Sequence, residues 1–241
     1  MKVLFIVLSG GKGMRLRPIS FFMQKTLFPA LKGKKIIDYA IKSSATEDIS
    51  GIEGKIFVLA RCKSGQVVNY IRKKYPGITV LIESKAFDTG GALLQHWQSI
   101  HEYNPGFVVV LNGDHFVNLP LQPLLEYCQK EHPALLMMGI PSDEKYHDYI
   151  NVNFDSERVL DKFLRRRSNI AYTGISIFRF DALEDRMNQL TDGLYNITTD
   201  IVEWIYAKYG GNYYVLETEW SDLGTWKRYL KFLYQELRRC D

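Results

Sequence analysis

Residues 1–18 read MKVLFIVLSGGKGMRLRP, an apolar run that leads directly into a loop rich in glycine and arginine. The first eight residues are largely aliphatic, β-branched or aromatic, which predicts a buried strand. Glycines let backbone N–H groups approach a ligand closely, and guanidinium groups match phosphate oxygens. The sequence therefore predicts a phosphate-binding turn at the carboxyl end of the strand, formed by Gly10, Gly11, Gly13, Arg15 and Arg17.

Two common phosphate-binding motifs do not fit this loop. A P-loop requires Gly-x4-Gly-Lys followed by Ser or Thr, and residues 10–16 lack that pattern. The dinucleotide fingerprint Gly-x-Gly-x-x-Gly would need a glycine where Leu16 stands. A plain glycine turn with two solvated arginines remains as the alternative to a phosphate site.

Composition limits the classes of protein to consider. The chain has 241 residues, of which 46% are hydrophobic and 24% charged, enough for the core of one large α/β domain. A net charge of +4 is too small to indicate nucleic acid binding. The apolar run at the start is too short to span a membrane and lacks a signal-peptide cleavage region, so we expect a cytosolic protein. Three isolated cysteines, at 62, 128 and 240, favour a reducing cytoplasm.

Strands and amphipathic helices alternate through the first half of the chain, which predicts a mostly parallel sheet with helices on both faces. Ligands then bind beyond the carboxyl ends of the strands, where the glycine loop and Asn112-Gly113-Asp114 fall. The predicted strands cover 3–8, 55–60, 79–82 and 107–111, and the predicted helices cover 35–44, 64–75, 89–103 and 120–130.

The second half has a different pattern, but no linker or shift in composition divides it from the first. We therefore expect a single domain over 1–241. The predicted strands are 149–154, 159–164, 170–180 and 212–217. Two helices are predicted. The first is capped by Thr198 or Thr199 and extends to Ala207, and the second covers 225–239.

The loop after the first strand resembles the signature loop of the sugar-1-phosphate nucleotidyltransferases. That signature is Gly-Gly-x-Gly-Thr-Arg-Leu-x-Pro, followed by Pro-Lys. Arg15, Pro18 and Lys25 match it, whereas Met14 replaces threonine and Gln24 replaces proline. The resemblance is nearest to the mannose- or heptose-1-phosphate guanylyltransferases and the glucose-1-phosphate thymidylyltransferases. It implies a Rossmann-like three-layer α/β sandwich with a mostly parallel mixed sheet and without a C-terminal β-helix.

Two aspartates match the positions at which this family binds Mg²⁺. Asp114 follows the strand over 107–111. Asp222 lies in Trp220-Ser221-Asp222-Leu223-Gly224-Thr225-Trp226, which resembles the family's Trp-x-Asp-Ile-Gly-Thr-Pro with Trp226 in place of the proline. The alternatives are a turn aspartate that bonds its own backbone and, for Asp222, a helix cap. The resemblance implies that Asp114 and Asp222 are the metal ligands.

A third motif resembles the family's nucleobase loop. Glu83 precedes Phe87-Asp88-Thr89-Gly90-Gly91-Ala92, where the family commonly has Leu-Gly-Thr-Ala-Gly-Ala. The Thr-Gly-Gly version is more similar to the guanylyltransferases than to the thymidylyltransferases. The alternative is that Asp88 or Thr89 caps the following helix. The resemblance implies that Leu8, Gly10, Gly11, Gly13, Glu83, Thr89, Gly90 and Gly91 bind the nucleotide.

The sugar half of the family pattern is altered. Phe163-Leu164-Arg165-Arg166 stands in place of Phe-x-Glu-Lys, and Tyr172-Thr173-Gly174 in place of Asn-Ala-Gly. The alignment implies that Arg166, Thr173 and Gly174 bind the sugar phosphate. The alternative is that residues 165–167 form a solvated turn.

The activity that the resemblance implies is condensation of a nucleoside triphosphate with a sugar 1-phosphate, which releases pyrophosphate. Arg15 and Lys25 are then the catalytic residues and Mg²⁺ is the cofactor. Residues 1–115 form the nucleotide half and 116–241 the sugar-phosphate half. A cytidylyltransferase acting on phosphocholine and a non-catalytic regulatory relative remain open, and a homo-oligomer is compatible with the sequence.

Overall fold

The computed structural model describes residues 1–141, 170–217 and 219–238. Within them, a seven-stranded sheet has the order β3-β2-β1-β4-β7-β6-β8. Its strands are β1 (Lys2–Ser9), β2 (Glu53–Ala60), β3 (Thr79–Ile82), β4 (Phe107–Asn112), β6 (Leu135–Pro141), β7 (Ile170–Arg179) and β8 (Asn212–Val215). A second, two-stranded sheet pairs β5 (His115–Val117) with β9 (Trp220–Asp222).

Most of the large sheet is parallel. Strand β1 pairs in parallel with β2 and β4, β2 with β3, and β6 with β8. Only β7 runs antiparallel to its neighbours β4 and β6. The strand order reverses direction between β1 and β4, and this switch point is where such sheets bind ligands.

Helices cover both faces of the sheet, as the alternating pattern predicts. The helices are α1 (Ile37–Lys42), α2 (Ser64–Lys74), α3 (Asp88–Gln95), α4 (Trp97–Tyr103), α5 (Leu121–Glu131), α6 (Phe180–Met187), α7 (Glu203–Tyr209) and α8 (Trp226–Arg238). Leu4 and Ile6 of β1 pack in one core with α3, α4, α6 and α7, whereas Val3 and Phe5 pack in another with α5. The predicted α/β class with a mostly parallel mixed sheet is confirmed.

Several predicted elements differ from the structure. The helix expected over 89–103 is two helices, because the chain leaves helical geometry at His96 (φ −114°, ψ 15°) and Trp97 stacks on Phe180 at 5.7 Å. The strand expected over 170–180 ends at Arg179, and α6 begins at the next residue, Phe180. Asn196, not Thr198 or Thr199, caps the π-helix Ile197–Val202 that precedes α7, since its side chain accepts from the N–H of Thr198. The strands expected over 149–154 and 159–164 lie outside the described residues.

No helix within the described ranges is both long enough and apolar enough to cross a bilayer.

Candidate active site

The loop that follows β1 is shaped by close contact with Lys25. A Cβ atom built on Gly11 would lie 3.0 Å from Cε of Lys25, and one on Gly13 would lie 3.1 Å from its Cβ. Gly13 also has φ +64°, a conformation that favours glycine. The two glycines therefore let the loop and the lysine side chain share one small space beyond the end of β1.

Gln24, which replaces the family's proline, holds this loop in place. Its side-chain amide donates to the carbonyl oxygens of Ser9 and Gly11, and its backbone N–H donates to Oε1 of Gln66 at 2.9 Å. A proline at this position could make none of these bonds. Gln24 thus fixes the loop by hydrogen bonds that the family's proline could not make.

Lys25 and Asp114 form a partly buried ion pair below the loop. Burial raises the pKa of the Asp114 carboxyl, but the charge of Lys25 and the hydrogen bond from it outweigh burial and hold that pKa below its usual value. Burial likewise lowers the pKa of Lys25, and Asp114 reverses the effect, so the lysine pKa is raised. Both side chains are therefore charged at neutral pH.

Asp222 is brought beside this pair by the small sheet. Strand β9 pairs with β5 so that Asp222 lies opposite His115, the neighbour of Asp114. A Cβ built on Gly224 would lie 2.8 Å from Oδ1 of Asp222 and 3.5 Å from Oδ2 of Asp114, so both carboxylates face one point. Any other residue at position 224 would place its Cβ against the carboxylate of Asp222.

Asp222 also has contacts that the sequence did not reveal. Its Oδ1 accepts from the N–H of Gly224 at 2.7 Å, a turn contact that resembles the predicted cap but precedes α8. Its Oδ2 accepts from Arg228 of α8 at 2.5 Å. The first turn of the same helix touches the glycine loop, since Nε1 of Trp226 donates to the carbonyl of Arg17 at 2.8 Å. The motif comparison included Trp226 only as a substitution for proline, and it did not include Arg228; the structure makes both of them neighbours of the site.

The predicted catalytic residue Arg15 is exposed in the short helical turn Met14–Leu16. Its charge acts on Lys25, whose pKa it lowers slightly against the larger effect of Asp114. The structure thus brings Arg15, Lys25, Asp114 and Asp222 into one charged region at the switch point.

A cavity of about 130 Å³ runs from this charged region along the ends of β1, β2 and β3. At its far end lies Glu83, whose carboxylate packs against Gly10 and makes an ion pair with Arg61, Nε to Oε2, at 3.6 Å. Arg61 was not singled out from the sequence, although its position directly after β2 is a signal for a site residue. The cavity is lined by Leu8, Gly10, Gly11, Lys25, Arg61, Glu83, Asp88, Thr89, Ala92, Asn112 and Asp114.

The predicted nucleobase loop only partly faces this cavity. Thr89 lines it, but its hydroxyl accepts from the N–H of Ile197 at 3.1 Å. The N–H groups of Gly90 and Gly91 donate to the carbonyl of Tyr195, so these amides are used in packing α3 against residues 193–195. Asp88 has φ 61° and accepts from the N–H of Thr89.

Of the three predicted sugar-phosphate residues, the structure describes two, and only one of these lies beside the cavity. The hydroxyl of Thr173 is buried and donates to the carbonyl of Met138, so that it faces the core. Gly174 has φ +78°, and a Cβ built on it would lie 2.6 Å from Nδ2 of Asn112, which lines the cavity. Arg166 lies outside the described residues.

Comparison with known proteins agrees with this fold. The sequence profile described as nucleotidyl transferase matches residues 4–239. A glucose-1-phosphate adenylyltransferase of Geobacillus stearothermophilus is 26% identical over 250 positions, covering 94% of this chain and 64% of that protein. A Sulfolobus acidocaldarius protein named for mannose-1-phosphate guanyltransferase activity is 26% identical over 232 positions, covering 94% and 61%. The chain thus spans just under two thirds of these curated relatives.

Two solved structures share the fold. A Bacillus anthracis protein described as a glucose-1-phosphate thymidylyltransferase, in complex with a sucrose, has a TM-score of 0.78 at 21% identity, with 97% of this chain and 94% of that chain covered. HddC of Yersinia pseudotuberculosis, complexed with GMP-PN, has a TM-score of 0.71 at 20% identity, covering 97% and 99%. Because the profile match extends over nearly the whole chain, the predicted family is confirmed, and this chain belongs to the nucleotidyl transferase family.

Proposed function

We propose that this chain condenses a nucleoside triphosphate with a sugar 1-phosphate to give a nucleotide-sugar and pyrophosphate. The observation that carries the proposal is the partly buried Lys25–Asp114 pair beneath a glycine loop at the switch point, with Asp222 close to the same space. These fixed charges suit direct transfer of a nucleotidyl group, for which no protein nucleophile is needed.

In the proposed reaction, an oxygen of the sugar phosphate attacks the α-phosphorus of the triphosphate. A new P–O bond forms, and the bond to the pyrophosphate leaving group breaks in line with it. Lys25 neutralises negative charge on the α-phosphate and the attacking phosphate, and Arg15 holds the triphosphate. Backbone N–H groups of residues 10–13 bind phosphate oxygens.

Mg²⁺ is the proposed cofactor, with Asp114 and Asp222 as its protein ligands. The chemistry of the donor set fits, because Mg²⁺ binds through one or two carboxylates and completes its shell with waters and substrate phosphates. The two carboxylates lie close together, since both approach Gly224, and this proximity supports a shared cation. Among the described residues, no group of three His, Cys, Asp or Glu side chains is arranged for a metal ion. When bound, the cation neutralises phosphate charge.

The sugar side of the proposal rests on Gly174, beside Asn112, and on Arg166 by its alignment alone. Arg166→Ala should weaken binding of a sugar 1-phosphate and leave nucleotide binding nearly unchanged, as measured by calorimetry with each ligand separately. Three isolated cysteines support a cytoplasmic location for this reaction.

The test is a matrix of nucleoside triphosphates against hexose and heptose 1-phosphates and phosphocholine, scored by pyrophosphate release. Release with a sugar 1-phosphate supports the proposal. Release only with phosphocholine would favour the cytidylyltransferase alternative. Binding of nucleotide without release in any combination would favour a regulatory protein.

A further inference from the structure

Two glutamines connect the turn that carries Lys25 to its surroundings. Lys25 begins the short helical turn Lys25–Leu27, and Gln24, directly before it, is only 2% exposed. Gln24 and Gln66 of α2 form successive hydrogen bonds, which we name the glutamine bridge, from α2 through this turn to the glycine loop. The inference drawn from the bridge rests on the proposed function, because it concerns the role of Lys25 in that reaction.

The side chain of Gln24 forms the inner half of the bridge. Its Nε2 donates to the carbonyl oxygen of Ser9 at 2.5 Å and to that of Gly11 at 3.3 Å. These two carbonyls lie on either side of Gly10, so one amide group fixes the first bend of the loop. The side chain of Lys25 passes the same bend, since a Cβ built on Gly11 would lie 3.0 Å from its Cε. Gln24 therefore fixes the loop at the place where Lys25 passes it.

The side chain of Gln66 forms the outer half of the bridge. Its Oε1 accepts from the N–H of Gln24 at 2.9 Å, and its Nε2 donates to the carbonyl of Phe22 at 2.7 Å. One side-chain amide thus satisfies two backbone groups of the segment that leads into the turn. Gln66 therefore fixes the direction in which the chain enters the turn at Lys25.

Helix α2 is a firm support for this contact. Val67 and Ile71 of α2 are fully buried in the core. Tyr70 and Lys74 of the same helix donate to the carboxylate of Asp38 in α1, at 2.8–2.9 Å and 2.6 Å. The amide of Gln66 thus projects from an element that is anchored on two sides, and the bridge transfers that rigidity to the turn.

The backbone shows what the glutamine adds at position 24. Gln24 has φ −64° and ψ 133°, and a proline ring would fix φ near the same value, about −65°. The backbone angle would therefore be the same with either residue. Three hydrogen bonds, two to the glycine loop and one to α2, exist only because position 24 is a glutamine with a free N–H.

We propose that Gln24 and Gln66 are positioning residues, which hold Lys25 in a fixed place relative to the phosphate-binding N–H groups of residues 10–13. The lysine and the loop must meet the same triphosphate, and a displacement of about 1 Å between groups that act together can cost about 10²-fold in rate. Charges that are held in place beforehand need no reorganisation during the reaction. The bridge supplies this fixed arrangement from outside the cavity.

The first test is steady-state kinetics of Gln24→Met, which keeps the length of the side chain and the N–H but loses both bonds to the loop. We expect kcat to fall by about 10-fold and the nucleotide KM to change much less, because Lys25 acts mainly in the transition state. Gln122→Met, at an exposed position of α5, is the matched control and should leave kcat unchanged. A wild-type kcat in Gln24→Met would overturn the proposal.

A double variant separates positioning from general damage to the fold. If Gln24 acts through Lys25, then adding Gln24→Met to Lys25→Ala should cost almost nothing further in kcat, because the group that it positions is already gone. If instead the two losses multiply, Gln24 acts independently of Lys25, and the positioning role is refuted.

Hydrogen exchange followed by NMR tests the bridge without any assay of activity. The N–H of Leu27 donates to the carbonyl of Gln24, and the N–H of Leu16 donates to that of Gly13, so these amides report on the turn and on the loop. Both should exchange at least about 10-fold faster in Gln24→Met, and that of Leu27 also in Gln66→Ala. Gln66 is exposed, so its variant should fold even if Gln24→Met does not.

The two proposals fail in distinguishable ways. Pyrophosphate release by the wild type, together with unchanged exchange at Leu16 and Leu27 in both variants, would refute the positioning role and leave the proposed function intact. Faster exchange in the variants, without pyrophosphate release by the wild type in any combination of substrates, would refute the proposed activity and retain the bridge as the support of Lys25.

Discussion

Lys25 and Asp114 form a partly buried ion pair between residues 89 positions apart, joining the short helical turn Lys25–Leu27 to the turn after β4. The two strands are neighbours at the switch point of the sheet, so the pair lies where a ligand enters. Each charge keeps the other ionised against the effect of burial, as their shifted pKa values show. The site therefore carries a fixed cation and a fixed anion side by side before any substrate arrives.

Lys25→Ala should reduce kcat by about 10²-fold and change the nucleotide KM much less, because the charge that Lys25 meets grows in the transition state. The change also leaves the Asp114 carboxylate buried without its cation, which should lower the free energy of unfolding by about 3 kcal/mol. Steady-state kinetics below the melting transition separate the two effects.

Lys32→Ala, at an exposed position, is the matched control and should leave both kcat and stability unchanged. An unchanged kcat in Lys25→Ala with a raised KM would assign Lys25 to binding alone.

Asp114→Asn and Asp222→Asn should each reduce turnover by about 10²-fold and weaken the binding of a divalent cation, because the two carboxylates lie close together beside Gly224. Pyrophosphate release across a Mg²⁺ titration measures the first effect, and Mn²⁺ binding followed by electron paramagnetic resonance measures the second. Asp48→Asn, in an exposed turn, serves as control. Undiminished turnover and Mn²⁺ binding in both variants would remove these aspartates from the metal site.

Glu83→Gln should stabilise the fold at pH 7. Burial raises the pKa of Glu83 above its usual 4.5, so the folded state binds the proton more strongly than the unfolded state does. The stability contributed by this group is greatest below pH 4.5 and is lost as the pH rises through the folded-state pKa.

The neutral amide avoids that loss. Melting temperatures of the variant and the wild type should therefore differ most at neutral pH and converge below about pH 4. A variant less stable than the wild type at pH 7 would indicate that the Arg61 contact outweighs the cost of burial.

Asp38→Asn should destabilise the protein by about 2 kcal/mol, because the buried carboxylate accepts from several donors at once. Tyr70 and Tyr75 donate to it at 2.8–2.9 Å, and Lys74 donates at 2.6 Å. These donors come from α2 and its end and fix that helix to α1. Urea denaturation of the variant against Asp48→Asn measures the cost, and equal values for the two would mean that the cluster adds nothing to stability.

The first half of the fold was predictable because its strands are short apolar runs bounded by turn signals. The predicted strand over 79–82 coincides with β3, and the helix over 64–75 ends one residue beyond α2. Strand β6 was missed, although its run Leu-Leu-Met-Met-Gly-Ile is continuously apolar, because a sequence does not reveal that a segment is sandwiched between β7 and β8. Strands β5 and β9 have three residues each, too few to establish a period of two.

Within the site as well, residues that stand in local motifs were predictable, and contacts between distant parts of the chain were not. Lys25, Asp114 and Asp222 stand in local motifs, and the structure brings these motifs together. Gly90 and Gly91 also stand in a motif, but their N–H groups bond Tyr195, more than 100 residues away, and local sequence does not encode that contact. Arg61 and Arg228 belong to no motif, and each becomes visible only through the carboxylate that it meets in space.

The most direct test of the proposed reaction follows the oxygen atoms. A sugar 1-phosphate labelled with ¹⁸O in its non-bridging phosphate oxygens is incubated with a nucleoside triphosphate, Mg²⁺ and the protein, and both products are analysed by mass spectrometry. Direct attack on the α-phosphorus predicts equal amounts of nucleotide-sugar and pyrophosphate, with all of the label in the nucleotide-sugar. Label in pyrophosphate, or pyrophosphate formed without nucleotide-sugar, would contradict the account.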